Sequence, residues 1–250
     1  MAEDEDVGED RLLGGRVRLL QPRRGHRAGT DAVLAAGLAG ARPGQRIVDL
    51  GSASGAIGLM LAASVPDARV VLAERDPALV ALAERNVGLN GFGGRVAAAP
   101  FCAFTAAPAQ AALWPADLVP LGGADLVVTN PPFFETASRA SPDARRRAAH
   151  VLDGGTLGGW IDAAEALLRS GGRIVLIHRA DALLACLGAL APRFGGIGLR
   201  AIHPRPGKEA TRILLSATKG GRGRPVVLPP LVLHGEDGRF TPEAERLHRP

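Results

Sequence analysis

Asn130-Pro131-Pro132-Phe133 follows directly on the run Ala124-Asp125-Leu126-Val127-Val128-Thr129, and its residue types suit methyl transfer to a planar, conjugated nitrogen. The exocyclic amino group of a nucleobase shares its lone pair with the ring. It is therefore a poor nucleophile until both N–H bonds are held and the lone pair is turned outward. The Asn130 side-chain oxygen and the Pro131 carbonyl are two acceptors that can grip those two hydrogens, while the prolines stiffen the turn and Phe133 offers a stacking face. The plain alternative is a proline turn that closes a strand; the apolar run just before the motif favours the chemical reading.

A second group lies earlier. Asp49-Leu50-Gly51-Ser52-Ala53-Ser54-Gly55-Ala56-Ile57-Gly58 reads as a glycine-bearing turn after a strand, where open α/β sheets bind ligands and where glycine lets backbone come close to them. Glu74, at the end of the next strand, is placed to accept both hydroxyls of a ribose, although a strand-end Glu can equally be solvated. A dinucleotide fingerprint would read G-x-G-x-x-G, and Ala53 takes the middle position, which disfavours a nicotinamide cofactor.

These groups need a frame. Arg16 to Gln21 reads as extended, and Thr30 as the cap of a helix to Ala39. Strands are predicted over Arg46 to Leu50, Ala68 to Ala73, Arg95 to Ala99, Asp125 to Thr129 and Arg173 to His178. Helices are predicted from Ala56 to Ser64, after the Asp76-Pro77 cap, from Thr156 to about Ser170 and from Asp181 to Leu190. Extended runs at Gly198 to His203 and Thr211 to Ala217, joined by a short linker, predict an antiparallel pair. The alternation implies a doubly wound sheet. Phe134 to Gly155 is a long connection carrying Arg139, Arg145, Arg146 and Arg147, a candidate substrate lid. The tail from Lys219 carries Arg222 and Arg224 among glycines, then a short helix capped by Thr241.

A chain of 250 residues that is 46% hydrophobic can bury a substantial core. It has no apolar run of membrane-spanning length and an acidic start, so a cytoplasmic protein with no membrane partner is expected. Cys102 and Cys186 are the only cysteines and have no metal-type spacing; no metal and no disulfide framework are expected. Net charge is +5, but six acids fall in the first ten residues, so the thirty Lys and Arg against nineteen remaining acids leave +11 over residues 11–250. Such an excess suits RNA or DNA, and equally reflects an arginine-rich coding background. With aromatics at 4% and no tyrosine, a broad stacking platform for single strands is disfavoured.

The strand-one loop, Glu74 and the Asn-Pro-Pro-Phe motif together resemble class I S-adenosylmethionine-dependent methyltransferases of the branch that modifies exocyclic or amide nitrogens. Arg27-Ala28-Gly29-Thr30-Asp31-Ala32-Val33-Leu34, Arg139-Ala140-Ser141-Pro142-Asp143 and His203-Pro204-Arg205-Pro206-Gly207-Lys208 are similar to the bacterial N6-methyltransferases acting on adenine 37 of a valine tRNA. The likeness spans roughly residues 12–249. It implies an α/β fold: a Rossmann-like, doubly wound, mostly parallel seven-stranded sheet with one antiparallel strand near the C-terminus. Residues 1–11 would be an acidic disordered tail, 12–45 an N-terminal extension with strand and helix, 46–218 the methyltransferase domain and 219–250 a basic C-terminal extension.

The resemblance further implies that Asp49, Gly51, Ser52 and Gly55 shape the pocket for the methionine part of S-adenosyl-L-methionine. Glu74 would hold the ribose, with Thr30 and Asp31 beside the cofactor. Asn130, Pro131, Pro132 and Phe133 would hold the target adenine. Arg145, Arg146, Arg147, Arg222 and Arg224 would contact tRNA phosphates, with the enzyme acting as a monomer. Two positions depart from the family's habit: Ala53 replaces a usual glycine, and Ala98-Ala99-Pro100-Phe101-Cys102 lacks the acid that commonly meets the cofactor's adenine. The competing readings are a protein-glutamine N5-methyltransferase, another nucleic-acid amino methyltransferase, and a non-catalytic RNA-binding protein on the same fold.

Overall fold

The computed structural model describes residues 6–24, 27–105, 111–132 and 156–249. The chain opens with a hairpin, β1 (Val7–Leu12) and β2 (Val17–Pro22), and α1 (Thr30–Leu38). There follow β3 (Arg46–Leu50), α2 (Ala56–Ser64), β4 (Arg69–Glu74), α3 (Pro77–Leu89), β5 (Val96–Pro100) and β6 (Ala124–Thr129). Then come α4 (Leu157–Leu167), β7 (Leu168–Arg179), α5 (Leu183–Leu190), β8 (Phe194–His203), β9 (Arg212–Lys219), β10 (Val226–Val227), β11 (Leu231–Val232) and α6 (Pro242–His248).

The main sheet runs β10-β8-β9-β7-β6-β3-β4-β5, with β11 also on β8. Only β9 is antiparallel to its neighbours. The expected seven strands with one antiparallel strand are therefore present, and the two-residue strands β10 and β11 extend the sheet to nine. Strands that short carry no readable period. The central strands are continuous apolar runs because helices cover both faces. Ile47 packs into the core beneath α1, α2 and α3, whereas Val48 and Leu50 pack into the core beneath α4 and α5.

The acidic start departs from expectation over residues 7–11, which form most of β1 instead of a disordered tail. Charge counting marks these residues as repelling, but each acid here has a partner. Arg18 donates to both Glu9 oxygens at 2.9 and 2.8 Å, and Gln21 and Arg27 both donate to Asp10 Oδ2 at 2.5 Å. The hairpin is then fixed by two asparagines four residues apart, Asn86 on α3 and Asn90 capping its end. Asn86 exchanges hydrogen bonds with the Leu20 backbone at 2.7 and 2.8 Å, and Asn90 does so with Arg18 at 2.9 and 2.7 Å, imitating a neighbouring strand. At α1 the cap is Gly29, not Thr30, and Gly29 has no side chain to close the first turn.

Candidate active site

The chain leaves β3 for β4 and β5 on one side and returns through β6 on the other, so the strand order reverses between β3 and β6. Open α/β sheets bind ligands beyond the strand ends at such a switch point. Leu50, the last residue of β3, is level with both Ala73 of β4 and Thr129 of β6. Gly51 and Asn130, the next residues along, therefore emerge side by side. Two stretches 79 residues apart in sequence meet there.

The loop from Gly51 to Gly55 is held from several sides. Its first two N–H groups, of Gly51 and Ser52, donate to the Ala73 carbonyl at 2.8 and 3.1 Å. Gly51 has a φ of 72°, and a Cβ there would lie 2.6 Å from the Trp160 ring. Neither its backbone nor its surroundings admit a side chain. Gly58 sits so close to β4 that a Cβ would lie 2.2 Å from Leu72. Ala53, in the position where glycine was expected, has a φ of 47°.

Asp49 is fully buried and accepts the Gly58 N–H at 2.8 Å, closing the first turn of α2, which has no side-chain cap of its own. Burial pushes its carboxyl up to about 7; the Gly58 hydrogen bond opposes this and the nearby Glu74 charge adds to it. Asp49 Oδ1 and the buried Ser52 hydroxyl have no hydrogen-bond partner among the described residues. Unmet buried acceptors and donors in a glycine cradle are what a polar ligand requires. Glu74 is also buried. Its Oε2 accepts from Ala53 at 2.9 Å, and its Oε1 accepts from Arg75 and Asp76 at 2.8 and 3.0 Å. Backbone thus occupies about three of the carboxylate's four lone-pair directions, leaving Oε2 room for one further donor.

Asn130 is half-buried, Pro131 buried and Pro132 exposed. Phe133, Arg145, Arg146 and Arg147 lie outside the described residues. Asp31, in the first turn of α1, pairs with Arg212 at 2.9 Å. Arg212 is level with Arg179 at the carboxyl end of β7, so Asp31 and neighbouring Thr30 border the same rim. Buried His178 ends there too, and desolvation lowers its pKa.

Arg222 and Arg224 are not brought to this rim. They are exposed beside the start of β8, where the Gly196 N–H donates to the Gly223 carbonyl at 2.8 Å. That is the amino end of the parallel strands, roughly 20 Å away along the sheet at about 3.3 Å per residue. Exposed Arg205 and Lys208, in the β8–β9 turn, lie at the carboxyl end instead. Reading by residue type singled out the denser arginine cluster, which strand direction sets apart from this rim.

Sequence reading also missed Trp160 and Thr129. The Trp160 indole N–H donates to Thr129 Oγ1 at 2.9 Å, and the Thr129 hydroxyl donates to the Leu50 carbonyl at 2.7 Å. The available signal was scarcity, since the chain has two tryptophans.

A doubly wound sheet with a glycine loop, a strand-end carboxylate and an Asn-Pro-Pro turn at its switch point defines the class: this is an S-adenosylmethionine-dependent methyltransferase. The methyltransferase small domain model matches residues 28–197, and the chain belongs to that family. The tRNA1(Val) (adenine(37)-N6)-methyltransferase of Porphyromonas gingivalis is 32% identical over 234 residues, 90% of this chain and 88% of the relative. The enzyme of the same name from Aeromonas hydrophila is 30% identical over 231 residues, 90% and 89% of the two chains. Among solved structures, one described as a predicted O-methyltransferase from Agrobacterium tumefaciens matches with a TM-score of 0.72 and 32% identity, covering 87% of this chain and 95% of that one. No helix among the described residues is long and apolar enough to cross a membrane.

Proposed function

We propose that this enzyme methylates the exocyclic N6 of an adenine in tRNA, at position 37 of a valine tRNA, acting as a monomer in the cytoplasm. The observation that carries the reading is the pairing of Leu50 with Thr129, which sets the Asn130 turn beside the Gly51 loop. Relatives at about 30% identity whose names specify that reaction support the choice of acceptor.

Bound S-adenosylmethionine supplies an electrophilic methyl group on a sulfonium. Asp49, Gly51, Ser52 and Gly55 would line its methionine end, with Ser52 Oγ and Asp49 Oδ1 meeting its polar groups. Glu74 Oε2 would take one ribose hydroxyl, and Thr30 and Asp31 would border the site. Asn130 Oδ1 and the Pro131 carbonyl hold the two N6 hydrogens and aim the lone pair, with Pro132 and Phe133 completing the base pocket. Catalysis is then mainly positioning, since the methylated amine sheds its extra proton readily. A hydroxyl acceptor has one hydrogen and is served by a base; two converging acceptors suit an amino group better. A base in a stack cannot reach such a crevice, so the target lies in a loop or is flipped out.

Residues 46–218 would be the catalytic domain, with 12–45 and 219–250 as extensions. Arg205 and Lys208 stand where flanking phosphates would cross the rim. Arg145, Arg146 and Arg147, from the connection after the motif, and Arg222 and Arg224, on the far side, would act on more distant phosphates. The test is mass spectrometry of nucleosides from purified valine tRNA of cells lacking the gene. Loss of N6-methyladenosine at position 37, restored by the gene, is expected; an unchanged nucleoside profile rejects the assignment.

A further inference from the structure

Trp160 touches both halves of the site through one side chain. Its ring lies over Gly51, the first residue of the cofactor loop, so closely that a Cβ there would meet two ring carbons at 2.6 and 2.8 Å. Its N–H reaches Thr129 Oγ1, one residue before Asn130, and the Thr129 hydroxyl continues to the carbonyl of Leu50, one residue before Gly51. The Phe104 ring, beyond β5, packs against the indole at a tilt of 57° and a centroid distance of 6.0 Å. The bonds form a closed circuit: Gly51 under the ring, Leu50 next to Gly51, Thr129 on Leu50 and the ring nitrogen on Thr129. All of these polar atoms are buried, where hydrogen bonds hold geometry firmly and a missing partner is costly. Core packing alone requires neither the indole nitrogen nor the threonine hydroxyl.

We propose that Trp160 and Thr129 are positioning residues that fix the Asn130 turn relative to the Gly51 loop, so that occupancy of the loop is registered at the acceptor turn. This rests on the methyl-transfer reading above. Neither residue touches the reacting atoms; they act through Asn130 and Gly51.

The test pairs single-turnover methyl transfer to unmodified valine tRNA with calorimetric titration of S-adenosylhomocysteine. Thr129→Val and Trp160→Phe should each slow transfer by about tenfold while ligand affinity changes by less than about threefold, the size of one hydrogen bond acting on geometry. The double variant should be no slower than the worse single variant, because both remove the same bond. Thr129→Ser, which keeps the hydroxyl, should transfer at the normal rate, and this comparison with Thr129→Val stands even should Trp160→Phe fail to fold. Near-normal rates in both single variants, losses that multiply, or losses explained wholly by affinity would overturn the proposal.

A second readout needs no tRNA. With Trp114→Phe, Trp160 is the sole indole, and S-adenosylhomocysteine should shift its emission with the calorimetric Kd. Should Trp114→Phe not fold, the wild-type minus Trp160→Phe emission difference reports the same quantity. Failure of wild-type protein to methylate tRNA would reject the substrate assignment alone; an emission indifferent to ligand would reject the coupling.

Discussion

The Glu74 carboxylate accepts the Ala53 N–H at 2.9 Å while Ala53 stands at a φ of 47°, in the left-handed region. A strand-end acid thus holds the ligand loop in a conformation that its central residue resists. A non-glycine residue there costs about 1–2 kcal/mol, and glycine gives back about 0.5–1 kcal/mol through backbone entropy.

Ala53→Gly is therefore expected to stabilise the protein by roughly 0.5–1 kcal/mol. Urea denaturation would measure it. A variant no more stable than wild type would mean that contacts of the Ala53 methyl offset the strain.

Glu74 has two duties, and two substitutions separate them. Glu74→Ala removes the acceptor of three backbone N–H groups and should lower both the melting temperature and cofactor affinity. The affinity loss is expected at about ten- to a hundredfold, for a charge-assisted contact of roughly 1.5–3 kcal/mol. Glu74→Gln keeps an acceptor oxygen, so affinity should fall while stability falls less. Unchanged calorimetric affinity in both variants would confine Glu74 to holding the loop.

Asp49 gives the protein a pH dependence whose sign follows from burial. Its carboxyl is raised from an ordinary value of 3.8 to about 7 in the folded state. Its contribution is fully present below the unfolded pKa and is lost as pH rises towards 7, up to about 4 kcal/mol in the limit of an unrelaxed site. Asp49→Asn keeps an acceptor for Gly58 without the charge. The ligand-free variant should be more stable than wild type at pH 8, with the gap narrowing towards pH 5. A gap that does not vary with pH in denaturant titrations would show that Asp49 ionises as an exposed carboxyl does.

Asn130→Ala should separate binding from chemistry. Removing one of two acceptors that orient N6 is expected to slow single-turnover transfer about a hundred- to a thousandfold, on the order of 3–4 kcal/mol, with cofactor affinity nearly unchanged. Transfer from labelled cofactor at close to the wild-type rate would reduce the Asn-Pro-Pro segment to a structural turn.

The basic residues are ranked by strand direction. Arg205→Ala with Lys208→Ala should weaken tRNA binding and flatten its salt dependence by about two phosphate contacts. Arg222→Ala with Arg224→Ala should have the smaller effect, and substitution of Arg145, Arg146 and Arg147 should weaken RNA binding while sparing the cofactor. A filter-binding series in which only the Arg222 and Arg224 pair altered the salt slope would reverse this ranking.

By itself the sequence determined most of the central strands and helices and the class of chemistry. Continuous apolar runs such as Ile174 to Ile177 announce buried strands, Asp76 and Thr156 cap the helices they were expected to cap, and the residue types of Asn130 to Phe133 suit a nitrogen acceptor. These are local properties, carried by backbone preference and side-chain type over a few residues. Tertiary structure decided what depends on register and direction. Residues 7–11 become a strand in which Arg18, Gln21 and Arg27 reach its acids. Arg222 and Arg224 fall at the end of the sheet far from the Asn130 turn because β10 runs parallel to β8. Trp160 joins Gly51 to Thr129 only because Leu50 and Thr129 are level on neighbouring strands. Pairing between residues some eighty positions apart is fixed by packing of the whole sheet, and no short stretch of sequence specifies it.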